Sequence, residues 1–139
     1  ALTNANVRDN VTLIRGSMTA LHTLPLKPAQ HVLAYNAFQY LSSDDEALAA
    51  FRGIHALIPA GGCFYIGAVL DQKAFGEFIR TWGLTLQEHN INDRLGRGWC
   101  PGHLCKLAEK AGFQPSPLPL LPRSLQLLHR FDYLFKKVG

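Results

Sequence analysis

The sequence predicts an α/β fold built on a sheet that is at least partly parallel. Three observations predict it. Short β-rich runs alternate with stretches whose apolar residues recur every three or four positions. One of those runs, Cys63–Leu70 (CFYIGAVL), is apolar almost throughout, as a strand covered on both faces must be. The whole chain then reads strand, strand–helix–strand, helix, helix, strand, an order that suits parallel pairing with helices on the sheet.

The elements follow in order. Val11–Arg15 (VTLIR) reads as a buried strand that ends at Gly16-Ser17, and Leu2–Asn10 as a tail or a frayed helix end. Leu24–Pro28 holds two prolines and is a loop. His31–Phe38 (HVLAYNAF) is the second strand. Ser42 or Ser43 opens a helix: Ser43 and Glu46 have the capping-box spacing, and Asp44, Asp45 and Glu46 complement the positive helix end. Ala47, Phe51, Ile54 and Ile58, with Leu48 alongside, form its apolar stripe; Pro59 stops it and Gly61-Gly62 turns the chain.

Cys63–Leu70 follows as the central strand. Asp71 caps the next helix, striped by Phe75, Phe78, Ile79 and Trp82 and ended by Gly83. Leu84–Gly98 has no steady period and reads as a polar loop or weak hairpin. Pro101 is a favourable first helical residue, and Leu104, Leu107, Ala108 and Ala111 line the helix that Gly112 closes. Pro115–Pro122 carries four prolines and reads as an extended connector. Phe131, Tyr133 and Phe135 alternate, as in a last strand over His129–Val138.

At 139 residues the chain has the length of one domain, residues 1–139. Hydrophobic residues make up 47% and charged residues 17%, which excludes global disorder. No apolar run approaches the roughly 18 residues of a membrane span, and Ala1–Asn10 has no signal-peptide anatomy. The net charge of +4 comes from scattered residues, with Lys136-Lys137 the only adjacent basic pair, so nothing marks a nucleic-acid surface. Three cysteines without an export signal read as reduced thiols in the cytoplasm. Neither a phosphate-binding P-loop nor a Gly-x-Ser-x-Gly nucleophile turn occurs.

Three stretches resemble the later half of the class I S-adenosylmethionine-dependent methyltransferases. Asn10–Leu21 (NVTLIRGSMTAL) is similar to the family's third strand and the turn beside the cofactor's adenine. His31–Gly67 (HVLAYNAFQYLSSDDEALAAFRGIHALIPAGGCFYIG) resembles its fourth strand, the helix behind it, the L-x-P-x-G-G turn and the fifth strand. Trp99–Phe113 (WCPGHLCKLAEKAGF) resembles the late helix ending in A-G-F, before antiparallel closing strands. The departure is the family's Gly-rich cofactor loop and ribose-holding acid, which would lie upstream of Leu2. Gly96-Arg97-Gly98 lacks the third glycine of such a loop.

The resemblance implies S-adenosylmethionine as cofactor and a small molecule as methyl acceptor. It places Ser17 and Met18 beside the adenine, Ser17 standing where the family usually has an acid. It puts Tyr35 and Asn36 at the carboxyl end of a strand, near the methionyl group. The same two residues also read as a core tyrosine and a turn cap. Tyr40 and Arg97 become acceptor-binding residues, and His89, in the polar loop, the group that takes the acceptor's proton. A zinc reading of Cys100, His103 and Cys105 fails on spacing and on the want of a fourth ligand, so no metal is expected.

The missing strands would leave the His31–Phe38 strand with a bare edge, which invites pairing in a homo-oligomer such as a dimer or with a complementing chain. Two functions follow: methyl transfer with the cofactor half supplied from elsewhere, or a non-catalytic binding or assembly module that pairs through that edge.

Overall fold

The computed structural model describes residues 11–81, 96–118 and 129–138. The Leu2–Asn10 tail, Trp82 and the loop bearing His89 lie outside them.

Among the described residues four strands form one mixed sheet: β1 (His31–Tyr35), β2 (Cys63–Leu70), β3 (Phe113–Pro117) and β4 (Arg130–Lys137), in the order β1-β2-β4-β3. The pair β1–β2 is parallel, with Leu33 opposite Tyr65; β4 runs antiparallel to both β2 and β3. Among the described residues three helices flank the sheet: α1 (Asp44–Leu57), α2 (Gln72–Thr81) and α3 (Pro101–Lys110). Short 3-10 turns occupy Met18–Thr23, with a kink at Ala20, and Phe38–Tyr40. No helix among the described residues is long and apolar enough to cross a membrane.

The capping pattern of α1 is realised, with one shift. Ser43 Oγ accepts from Glu46 N at 3.2 Å, but the Glu46 carboxylate returns to Ser42, taking its N–H at 2.6 Å and its hydroxyl at 2.9 Å. The expected stripe is the buried face: Ala47, Phe51, Ile54 and Ile58. Phe51 is its hub. Its ring lies 5.1 Å from Phe38, 5.3 Å from Phe135, 6.0 Å from Phe64 and 6.1 Å from Phe113, so helix, turn and three strands meet on one side chain. Lys137 Nζ donates to the carbonyls of His55 and Ile58 at 2.9 and 2.8 Å, meeting acceptors that the helix end leaves open.

On β1 the residues alternate: Val32 and Ala34 pack towards the core, while His31, Leu33 and Tyr35 are exposed. The first half of β2 alternates likewise; only its second half, from Gly67 on, is buried on both faces. Among the described residues no strand lies against the outer edge of β1.

Two expected elements are corrected. Val11–Arg15 is not a strand: it pairs with no other described segment, and Val11, Leu13 and Ile14 are exposed. β-rich composition needs a neighbouring strand to supply hydrogen bonds, and no described strand pairs with this segment. The start of the proline-rich connector is instead β3, an edge strand on which Pro115 and Pro117 face Phe135 and Tyr133. Proline is tolerated on an edge because its missing N–H can point away from the ladder. The His31–Phe38 strand ends early, at Tyr35, where Asn36 takes a left-handed φ of 53°.

Candidate functional site

The carboxyl ends of β1 and β2 lie side by side, joined by the Asn36 N–H to the Gly67 carbonyl at 2.8 Å. Open α/β sheets bind ligands at this end. After Asn36 turns the chain, the Phe38–Tyr40 turn crosses towards Ser42 and the start of α1. After Leu70, Asp71 caps α2 by accepting from Lys73 N and Ala74 N at 2.9 and 3.0 Å. Residues 96–99 then return between these two exits. Arg97 N donates to the Gln39 carbonyl at 2.6 Å, and Trp99 bridges Leu70 and Gln72 through its own N–H and carbonyl. The result is a cleft of about 600 Å³ lined by Gln39, Tyr40, Leu70, Gln72, Phe75 and Arg97, among others.

Glycine makes the return possible. Gly96 has φ +76°, and a Cβ there would strike the Gln39 carbonyl; a Cβ on Gly98 would come within 2.8 Å of the Gln72 Cα. Trp99, fully buried, donates its indole N–H to the Phe38 carbonyl at 3.0 Å. The Arg97 guanidinium lies 4.1 Å from the Trp99 ring centroid and reaches the Ser42 carbonyl and the Asp44 carboxylate, each at 3.2 Å.

Asp44 also meets His103 Nε2 at 2.7 Å. The His103 hydrogen bond first, then the charges of His103 and Arg97, hold the Asp44 carboxyl below its ordinary range. The Ser42 hydrogen bonds do the same for Glu46. Gln39 is the one polar side chain in the buried core described here. Its Nε2 donates to Asn36 Oδ1, while its Oε1 is buried without a partner. Such an atom costs free energy unless something donates to it.

Behind the cleft, β2 carries a bulge. Its register to β4 shifts between Ile66 and Val69, and Ala68 takes φ +56°. Asp132 of β4 holds this kink by accepting from Ala68 N at 2.8 Å and from the Tyr65 hydroxyl at 2.7 Å. Arg130 donates to the Ala68 carbonyl at 2.6 Å and to Asn36 Oδ1 at 2.9 Å, tying the bulge to the end of β1.

Of the residues singled out in sequence, Tyr40 and Arg97 come together in the cleft, and Asn36 adjoins it through Gln39. Tyr35 is exposed on the sheet face, its ring over Gly67. Ser17 caps the Met18–Thr23 turn, and Met18 packs against the core; neither lines the cleft. His89 lies outside the described residues. Cys100, His103 and Cys105 do not converge: His103 turns to Asp44, and Cys105 bonds to the Tyr133 side chain. No three His, Cys, Asp or Glu side chains gather among the described residues. Sequence reasoning missed Gln39, Gln72, Phe75, Arg130 and Asp132. The available signal was Gly96-x-Gly98, two glycines bracketing an arginine where two backbones must be approached.

No protein-family profile matches the chain, and no curated protein matches its sequence. Solved structures do match. Human N-acetylserotonin methyltransferase in complex with S-adenosylmethionine superposes with a TM-score of 0.63 at 15% identity, over 98% of this chain and 36% of the human one. An O-methyltransferase family protein from Burkholderia thailandensis gives 0.62 at 11%, over 91% of this chain and 35% of that one.

The fold is a methyltransferase fold. A third case, an S-adenosylmethionine-dependent methyltransferase from Methanosarcina mazei, gives 0.58 at 9% identity, over 89% of this chain and 66% of that one. This chain therefore spans about a third of the length of the first two structures. Within the methyltransferase fold it supplies β1–α1–β2, the later helices and the antiparallel pair β4–β3.

Proposed function

We infer that the chain forms the later half of an S-adenosylmethionine-dependent methyltransferase site that acts on a small-molecule acceptor. The observation that carries this reading is the cleft at the joined carboxyl ends of β1 and β2, on a fold shared with methyltransferases. The residues present fit one side of the cofactor. Tyr35 offers an exposed ring and Asn36 an amide at the end of β1; Ser17 and Met18, outside the cleft on the preceding segment, would stand beside the adenine only as the family resemblance implies. The Gly-rich loop has no counterpart in the sequence and would come from a second chain or from further sequence.

When bound, this cofactor supplies a sulfonium-borne methyl group for in-line displacement. The protein's part is to align the acceptor and remove its proton. Tyr40 and Phe75 can hold an acceptor ring or chain, and the orphaned Gln39 Oε1 marks where a donor group would be welcome. Arg97 already spends its charge on Asp44, so it shapes the cleft wall more than it awaits an anion. His89 is the residue assigned to take the acceptor's proton.

Calorimetric titration of S-adenosylmethionine into the purified chain, with molar mass by light scattering on the same sample, tests the reading. Saturable heat supports it. A folded sample that gives no heat overturns it for this chain on its own.

One observation favours a second reading, an assembly module. Among the described residues no strand lies beside the outer edge of β1, and on the exposed face of that strand Leu33 and Tyr35 are 67% and 61% exposed. A stable dimer that binds no cofactor would make this the better account.

A further inference from the structure

At the opposite end of the sheet from the cleft, three reactive side chains stand in one row. The first residues of β1 and β2, His31 and Cys63, are register partners, and Cys63 is paired on its other side with Lys136 of β4. Register partners project to the same face, so imidazole, thiol and ammonium share the open face of the sheet. His31 Nδ1 lies 3.1 Å from Cys63 Sγ. His31 and Lys136 are exposed, and Cys63 is partly so.

We propose that Cys63 is a nucleophilic thiol that forms mixed disulfides with small soluble disulfides, with His31 as its proton acceptor. A thiol and a base within hydrogen-bond reach are the minimum apparatus of an activated nucleophile. In the step, His31 Nδ1 takes the thiol proton and the Cys63 sulfur attacks one sulfur of the disulfide. The old S–S bond breaks, and the departing thiolate recovers the proton from His31. Cys63 and one half of the reagent end as a new disulfide, and the other half leaves reduced to a thiol. The Lys136 ammonium, beside Cys63 in the register, attracts a reagent bearing carboxylates, which makes glutathione disulfide a suitable substrate.

The other two cysteines are built differently and serve as internal controls. Cys100 is exposed with no histidine bonded to it among the described contacts. Cys105 is partly buried, and burial raises its thiol above the ordinary range.

The test incubates the full chain with glutathione disulfide near neutral pH and follows each cysteine by peptide mass spectrometry. The expected result is Cys63 reacting about tenfold faster than Cys100, with Cys105 slowest. His31→Gln should bring Cys63 down towards the Cys100 rate and leave Cys100 unchanged, and Lys136→Gln should slow Cys63 less. Cys100 reacting first in the unsubstituted chain overturns the proposal without need of any variant. So does a His31→Gln protein, folded by circular dichroism, in which Cys63 reacts as before.

Discussion

Arg97 covers the fully buried Trp99 while binding Asp44, so one side chain closes the cleft wall onto the first turn of α1. Arg97 is 40% exposed, and its ion pair is therefore screened by water. Replacing it with Met keeps the stem and removes the charge. The expected loss is about 1 kcal/mol, shared among the ring contact, the Ser42 carbonyl and Asp44. Urea denaturation should show a lower midpoint at unchanged slope; Arg97→Lys should recover only part of it, since it cannot reach two acceptors in one plane.

Gly96→Ala should cost more than Arg97→Met. The new Cβ meets a left-handed backbone and the Gln39 carbonyl at once, and that carbonyl is pinned by Arg97 N. A loss of about 2 kcal/mol is expected, with the return segment displaced from Gln39. In a Trp82→Phe background, increased fluorescence quenching of Trp99 by acrylamide would report it, compared with a Gly76→Ala control at a glycine whose Cβ meets nothing.

Phe51→Ala should be the most damaging of these changes, at about 3–5 kcal/mol, since four other rings surround this side chain. Phe51→Leu should retain over half of the stability. Thermal unfolding followed by circular dichroism separates the two.

Stability should fall in two stages as pH is lowered. Burial first, and a neighbouring cation second, hold His55 and His129 below their ordinary value of 6.5. The unfolded chain then binds more protons than the folded one below that pH, so this stability is complete above 6.5 and is lost as pH falls towards the folded-state values. Asp44 and Glu46, held below 3.8 and 4.5, add a second loss of the same sign at more acidic pH. Melting temperatures across the acid range should show both stages, and His55→Gln should reduce the first, leaving the His129 part of it and the second stage in place. A melting temperature indifferent to pH between about 7 and 5 would contradict the first stage.

Much of the fold was legible because local signals agreed with tertiary need. Ser43, Glu46 and the Ala47–Ile58 stripe specify α1 before any partner is known, and the alternation of Phe131, Tyr133 and Phe135 specifies β4. The failures are those of partnership. Val11–Arg15 has strand composition but no neighbouring strand among the described residues, and Pro115–Pro117 is a strand only because β4 lies beside it. The site was less legible for the same reason. Gln39 and Arg97 are far apart in sequence and meet only after the sheet has brought the ends of β1 and β2 together. The Ala68 bulge, set by Asp132 and Arg130 from another strand, left no local mark at all.

The edge of β1 that no described strand covers has a geometric consequence. Two copies related by a two-fold axis can join there only with their β1 strands running in opposite directions, because the axis reverses one strand onto the other. Five residues pair best when the middle one, Leu33, sits on the axis, facing its own copy. The four-stranded sheet would then double into one continuous sheet, its two clefts at opposite ends and its two Tyr35 rings diagonally placed across the seam.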